Sequence, residues 1–320
     1  MVELRTTCIA AAILVASSMT HPSQAGTEIE ALPQAEAANS RRDYEAFAAI
    51  YRGLEQQGSA AGARGIGLMY WAGAGIPKDH GRACDQFAKG EQGGDALATE
   101  LLGDCYHNGD GRDRDYARSA QLYTVAGDRG VPVSFCALGN QYLRGQGVEF
   151  SPGKAATLCR RSAELGVAAA QTDLGQMYLT GNGVPHDPAE AARWFLKASG
   201  QGHANAALLL GLQYWNGDGV GRDHPYAIAL WRVAALRGQQ RAPALMAQYY
   251  ATLALAPPGP QLNLEPAIRA AYWGSVATQV DPDPAARARA KGLVDTILSA
   301  APGLQSDLTI MLATRRSPSE

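Results

Sequence analysis

The small and apolar positions of this chain return at an offset of 36 residues, without a gap, across five units: 59–94, 95–130, 131–166, 167–202 and 203–238. In each unit a Gly holds the ninth place (Gly67, Gly103, Gly139, Gly175, Gly211) and a Tyr follows three residues later (Tyr70, Tyr106, Tyr142, Tyr178, Tyr214). A Gly-x-Gly segment comes next (Gly73/Gly75, Gly109/Gly111, Gly145/Gly147, Gly181/Gly183, Gly217/Gly219), and each unit closes on Gly94, Gly130, Gly166, Gly202 or Gly238. The spacing predicts helix, turn, helix, turn. Leu174, Gly175 and Tyr178 fall on one helical stripe, and a Gly there lets the partner helix approach closely. The Gly-x-Gly segments are expected to end the first helix, since Gly tolerates the left-handed conformation that helix termini favour. A phosphate-cradling loop is disfavoured: no strand precedes these glycines and no Lys-Ser/Thr pair follows them.

A capping residue opens each predicted second helix: Asp79, Asp115, Ser151, Asp187 and Asp223. Pro188 and Glu190 add the first helical place and the third, a capping-box arrangement. Large side chains seven or eight residues on (Phe87, Tyr123, Trp194, Phe195, Trp231) share a face with Ala126, Ala198 and Ala234, which reads as a core stripe.

Both flanks keep the register. Asp43, Ile50, Tyr51 and Gly58 lie 36 residues before Asp79, Gln86, Phe87 and Gly94, so 43–58 is expected to be a lone second helix capping the array. Residues 239–280 form a degenerate sixth unit. There Met246 and Tyr250 match Leu210 and Tyr214, Ala247 replaces the Gly, and a Pro-rich segment at 256–260 replaces Gly-x-Gly; Ala270, Trp273 and Ala277 match Ala191, Trp194 and Ala198 after an insertion of seven. Residues 281–320 read as further helices over 284–300 and 304–314 and a polar tail.

At the N-terminus, Arg5 precedes an apolar run from Cys8 to Ala16, too short to span a bilayer, and Ser23-Gln24-Ala25 supplies small residues for cleavage after Ala25. Residues 1–25 are therefore expected to be an export signal and 26–42 a linker, with a periplasmic or secreted destination. The competing reading, a buried first helix, lacks an amphipathic period. Cys8 does not sit where a lipid-modified cysteine would, and no later run reaches the roughly 18 apolar residues of a membrane helix. A formal net charge of -2 over 320 residues gives no field suited to a polyanion, so nucleic acid is not an expected partner. The 36 glycines, with scarce Phe, fit close-packed helices and tight turns.

The pattern Leu-Gly-x-x-Tyr, Gly-x-Gly-Val, an Asp cap and Ala-x-x-Trp-Phe-x-Lys-Ala, whole in Leu174–Ala198, resembles the Sel1-like repeat family, a relative of the tetratricopeptide repeat. The resemblance covers roughly 43–277. It implies an all-α fold, an α/α superhelical solenoid of helix-turn-helix repeats, and a role as adaptor in signalling or assembly complexes. Exported bacterial members include regulators of exopolysaccharide synthesis and cysteine-rich proteins that bind β-lactams. In tetratricopeptide arrays the first helices line a concave groove. Carried over, that groove would present Leu68 and Trp71, Asp104 and His107, Asn140 and Leu143, Gln176 and Leu179, and Leu212 and Trp215. Trp71 and Trp215 are either anchors for a partner or packing residues against neighbouring units.

Without the signal segment four cysteines remain: Cys84, Cys105, Cys136 and Cys159. Residues on antiparallel helices face each other when equally far from the intervening turn. Cys84 and Cys105 centre on the Gly94 boundary, and Cys136 and Cys159 centre beside Gly147, whereas Cys105 and Cys136 centre inside a helix. The expected disulfides are Cys84–Cys105 and Cys136–Cys159; the alternative is four reduced, buried thiols. No Cys-x-x-Cys or nearby His completes a metal site. His80, His186 and His224 adjoin cap acids, His107 and His203 stand singly, and all five read as solvated turn or surface residues. No nucleophile elbow is present, so neither catalytic residues nor a cofactor is expected. The leading function is a scaffold holding a protein or extended peptide. The competing one is a secreted protein that binds or hydrolyses cell-wall or β-lactam-like molecules, and a purely structural link in an envelope assembly is a third.

Overall fold

The computed structural model describes residues 22–254 and 263–314, with side chains from Glu30 onward. Among the described residues all regular structure is helical. A helix α1 (Pro22–Ser40) and a helix α2 (Tyr44–Gln56) precede five hairpins. These are α3 (Ala60–Ala72) with α4 (His80–Gln92), α5 (Ala96–Asn108) with α6 (Tyr116–Asp128), α7 (Pro132–Arg144) with α8 (Pro152–Glu164), α9 (Ala168–Thr180) with α10 (Pro188–Gly200), and α11 (Ala204–Asn216) with α12 (His224–Leu236). Helices α13 (Ala242–Ala254), α14 (Leu264–Val280), α15 (Pro284–Ala300) and α16 (Leu304–Thr314) follow. Two compact units result: one reaches to Ala170 and takes in 182–184, and the other comprises Gln171–Gly181 and the chain from Pro185.

Each hairpin closes in the same way. The first Gly of the turn takes a left-handed φ, as Gly217 does at 82°, and its N–H reaches the carbonyl four residues back. The backbone N–H of the cap residue then donates to the carbonyl of the recurring Tyr: Asp79 to Tyr70 at 3.0 Å, and Asp115, Ser151, Asp187 and Asp223 to Tyr106, Tyr142, Tyr178 and Tyr214 at 2.9 Å. The second Gly has an additional reason. A Cβ on Gly111 would fall on the backbone of His80, one on Gly147 on that of Tyr116, and one on Gly219 on that of Pro188. Each turn therefore lies against the start of the preceding second helix, where only hydrogen fits.

The ninth-place glycines do what their spacing predicts. A Cβ on Gly67, Gly103 or Gly211 would lie 2.5, 2.8 or 2.5 Å from Phe87, Tyr123 or Trp231 respectively. These rings are almost fully buried and form the centre of each hairpin. In the third hairpin Cys159 stands at the ring's place, facing Gly139 and bonded to Cys136. The sixth unit moves the small residue to the other helix, with Ala247 on α13 facing Gly274 on α14, a Cβ on which would be 3.8 Å from that of Ala247. Both expected disulfides are formed, with Cα–Cα distances of 6.2 Å for Cys84–Cys105 and 4.1 Å for Cys136–Cys159.

Several expectations need correction. Residues 26–42, read as linker, fall largely within α1, whose Ala35 and Ala38 are buried against α2; their small side chains gave no strong period but allow close packing. Asp79, Asp115, Asp187 and Asp223 accept the N–H three residues on at 3.0, 2.9, 2.9 and 2.9 Å, but Ser151 caps nothing, and Pro152 at the first helical place leaves one fewer donor to satisfy. The capping box at Asp187 stays open. The Asp187 N–H is already taken by Tyr178, and Glu190 pairs instead with Arg193 at 2.6 Å. The apolar run from Cys8 to Ala16 and the segment 256–260 lie outside the described residues, while Ala25 lies within α1.

Candidate interaction face

The ten residues expected to line a groove occupy the tenth and thirteenth places of their units, near the ends of α3, α5, α7, α9 and α11. Gln176 is exposed; Leu68, Trp71, Asp104, His107, Asn140, Leu143, Leu179, Leu212 and Trp215 are half-buried. The thirteenth place faces the first residue of the second helix. Trp71 stacks on His80 at 4.3 Å between ring centres and 17° between planes, and Trp215 stacks on His224 at 4.2 Å and 26°. In the second hairpin His107 meets the edge of Tyr116 at 5.3 Å. Phe87 lies 6.2 Å from Trp71, and Trp231 and Tyr249 lie 5.2 and 5.5 Å from Trp215.

Both tryptophans are thus built into the packing of their own hairpins, Trp215 also touching the next helix in sequence, and each leaves part of its surface open. Most of the histidines are not solvated turn residues. His80 and His224 are ring-stacked, His107 pairs through Nδ1 with Gln141 Nε2 at 3.1 Å, and His203 pairs with Thr172 Oγ1 at 2.8 Å; His186 alone of the five is exposed. The sequence carried the signal for these pairs. Trp71 and His80 centre on Gly75, and Trp215 and His224 centre on Gly219, by the same rule that pairs the cysteines.

In the first compact unit the face is mixed, with polar groups set among Leu68, Trp71 and Leu143. Tyr123 donates its hydroxyl to Asp104 Oδ1 at 2.6 Å, and Gln141 donates to Ser119 Oγ at 3.0 Å while meeting His107. Burial, reinforced by the Asp104 carboxylate, pushes the Tyr123 phenol far above its ordinary range, so it stays a donor at any physiological pH. In the second unit α9 carries Asp173 and exposes Gln176, but the first helices after it are apolar. Neither α11 nor α13 contains an Asp, Glu, Lys or Arg, whereas every second helix carries charge. Among the described residues no three His, Cys, Asp or Glu side chains cluster as a metal would require. Nor, among them, is any helix long and apolar enough to cross a membrane.

Comparison with known proteins agrees with this architecture. The Sel1 repeat family model matches residues 60–85, 96–131, 136–167, 168–203 and 204–239, together just over half of the chain. A Sel1 repeat protein from Oxalobacter formigenes is similar at 25% identity and a TM-score of 0.65, over 79% of this chain and 98% of that one. A protective antigen present in uropathogenic Escherichia coli strains, displaying an SLR fold, is similar at 23% identity and a TM-score of 0.59. That alignment covers 84% of this chain and 60% of the antigen. No curated protein matches. The family model, five times over, meets the register of glycines, cap residues and buried rings described above: the chain belongs to the Sel1 repeat family.

Proposed function

We propose that this protein is a non-catalytic scaffold of the bacterial envelope, periplasmic or secreted, which holds a partner protein on the face presented by its first helices. Sel1 repeat proteins generally mediate protein–protein interactions. The observation that carries the reading is the contrast in charge. Helices α11 and α13 expose part of Leu212, Trp215 and Tyr249 but hold no charged residue, while α4, α6, α8 and α10 hold Arg, Lys, Asp or Glu on their exposed sides. A partly exposed apolar face has its lowest free energy when a partner removes it from water. An extended peptide suits it, since such a segment contacts one first helix after another through alternate side chains. Two disulfides support an oxidising destination.

The test is recovery of partners from an envelope extract by the tagged protein and by variants at Gln176 and Leu179, where a charge can be added with little cost to folding. The reading expects Gln176→Glu combined with Leu179→Asp to lose the captured protein while its melting curve stays within a few degrees of the parent. Unchanged recovery would remove the face from consideration, and hydrolysis of a chromogenic β-lactam by the purified protein would contradict a non-catalytic role.

A further inference from the structure

The thirteenth place of one unit and the eleventh place of the next lie 34 residues apart, on successive first helices. On α11 and α13 these places hold Trp215 and Tyr249, which meet through their rings. By register the same two places hold Trp71 and Cys105, Leu143 and Met177, and Leu179 and Gln213 elsewhere in the array. On α5 and α7 alone both are polar: His107 Nδ1 lies 3.1 Å from Gln141 Nε2. Gln141 is fully buried, and its Nε2 also donates to Ser119 Oγ at 3.0 Å and to the Tyr116 carbonyl at 3.5 Å. Its Oε1 has no partner among the described residues.

A backbone carbonyl only accepts, so the Gln141 atom beside Tyr116 is the donor Nε2, and His107 Nδ1 must offer it a lone pair. The contact therefore needs a neutral imidazole with its proton on Nε2. A proton added at Nδ1 sets two donors against each other. Turning the amide over does not repair this, because Oε1 would then face the Tyr116 carbonyl in a place closed to water. Around His107, α6 supplies the rings of Tyr116 and Tyr123 at 5.3 and 6.3 Å, and Arg114 lies over the Tyr116 ring. Helix α5 itself supplies Glu100 and Asp104, the latter holding the Tyr123 hydroxyl, and α7 has Arg144 in its last turn. On α3 the one charged residue, Arg64, is paired with Asp95. Of these charges, the two carboxylates of α5 attract an imidazolium. We propose that His107 and Gln141 form an acid-released latch between α5 and α7, closed while His107 is neutral and opened when it takes up a proton. Opening adds a positive charge beside Asp104 on the first-helix face. The latch follows from the packing of two neighbouring hairpins, and its test involves no partner.

The experiment is NMR of the purified full chain, labelled with nitrogen-15 in its glutamine and histidine side chains. The expected result is a scalar coupling across the N–H···N bond between Gln141 and His107 at about pH 7.5, lost at about pH 5.5, on either side of the ordinary histidine value. The Gln141 amide signals should move with the His107 ring signals at one midpoint. Those of Gln213, bonded to the Pro188 carbonyl, should stay in place. His107→Leu with Gln141→Met installs the residues that Leu143 and Met177 supply at the same two places, and so removes the latch. Between about pH 7.5 and 5.5 the melting temperature of that variant should fall less than the parent's, by at least about 2 °C, the response of His203 being common to both chains. If the double variant does not melt cooperatively, the parent's coupling decides alone. Absence of the coupling at the higher pH, its persistence at the lower, a Gln141 amide indifferent to the titration of His107, or equal falls in melting temperature would each overturn the proposal.

Discussion

Gly175 and Phe195 meet so closely that a Cβ on the glycine would lie 2.5 Å from the ring. The pair sits at the centre of its hairpin, with the ring fully buried, and the same two places recur as Gly67 and Phe87, Gly103 and Tyr123, and Gly211 and Trp231. One repeat therefore holds together by a ring filling the space left by an absent side chain. Gly175→Ala should destabilise the protein by about 1–3 kcal/mol through overpacking, despite the better helix propensity of Ala. Gly292→Ala on α15, where nothing lies within 4 Å, should instead stabilise by about 0.5–1 kcal/mol. Denaturant unfolding of the two variants checks the opposite signs.

The cap residues divide in the same testable way. Asp187→Ala should cost about 1 kcal/mol, because its carboxylate accepts the Glu190 N–H at 2.9 Å. Ser151→Ala should be close to neutral, since that side chain makes no cap bond. Chemical denaturation of both, against the parent, decides it.

Both disulfides lie in the first compact unit. Cys84–Cys105 joins α4 to α5 and Cys136–Cys159 joins α7 to α8, with separations of 21 and 23 residues. Each is worth roughly 3 kcal/mol by the chain-entropy account. Reduction should accelerate amide exchange in α3 to α8 and leave α11 to α14 close to unchanged, as read by hydrogen-exchange mass spectrometry.

His203 supplies a pH dependence. Burial lowers its pKa below the ordinary value of 6.5, opposed in part by Asp173. The folded chain thus binds the proton less well than the unfolded chain, so stability rises with pH within that window. The contribution is whole above about pH 6.5 and is lost as pH falls through the lowered value. His203→Asn keeps a partner for Thr172 and should flatten the melting temperature between about pH 5 and 7, relative to the parent.

The sequence made the hairpins legible because their constraints are local and repeated five times: a Gly where a helix must be approached, a Gly where φ is positive, an acid where three N–H groups lack partners. The cysteine pairing was legible for a further reason, since antiparallel helices convert distance from a turn into contact. The same conversion would have paired Trp71 with His80 and Trp215 with His224. What escaped depended on competition between partners. Glu190 could not complete a capping box once Tyr178 had taken the Asp187 N–H, and α1 buries alanines that carry no strong periodic signal.

The claim that the first helices form the binding face is tested most directly by a photo-activated crosslinker placed singly at exposed positions of the protein in its native cell. Gln176 represents that face, and Arg118 on α6 the opposite kind of helix. The account predicts a discrete crosslinked protein from position 176, absent from position 118 and suppressed by Leu179→Asp. Equal capture at both positions, or capture from Arg118 alone, would contradict it.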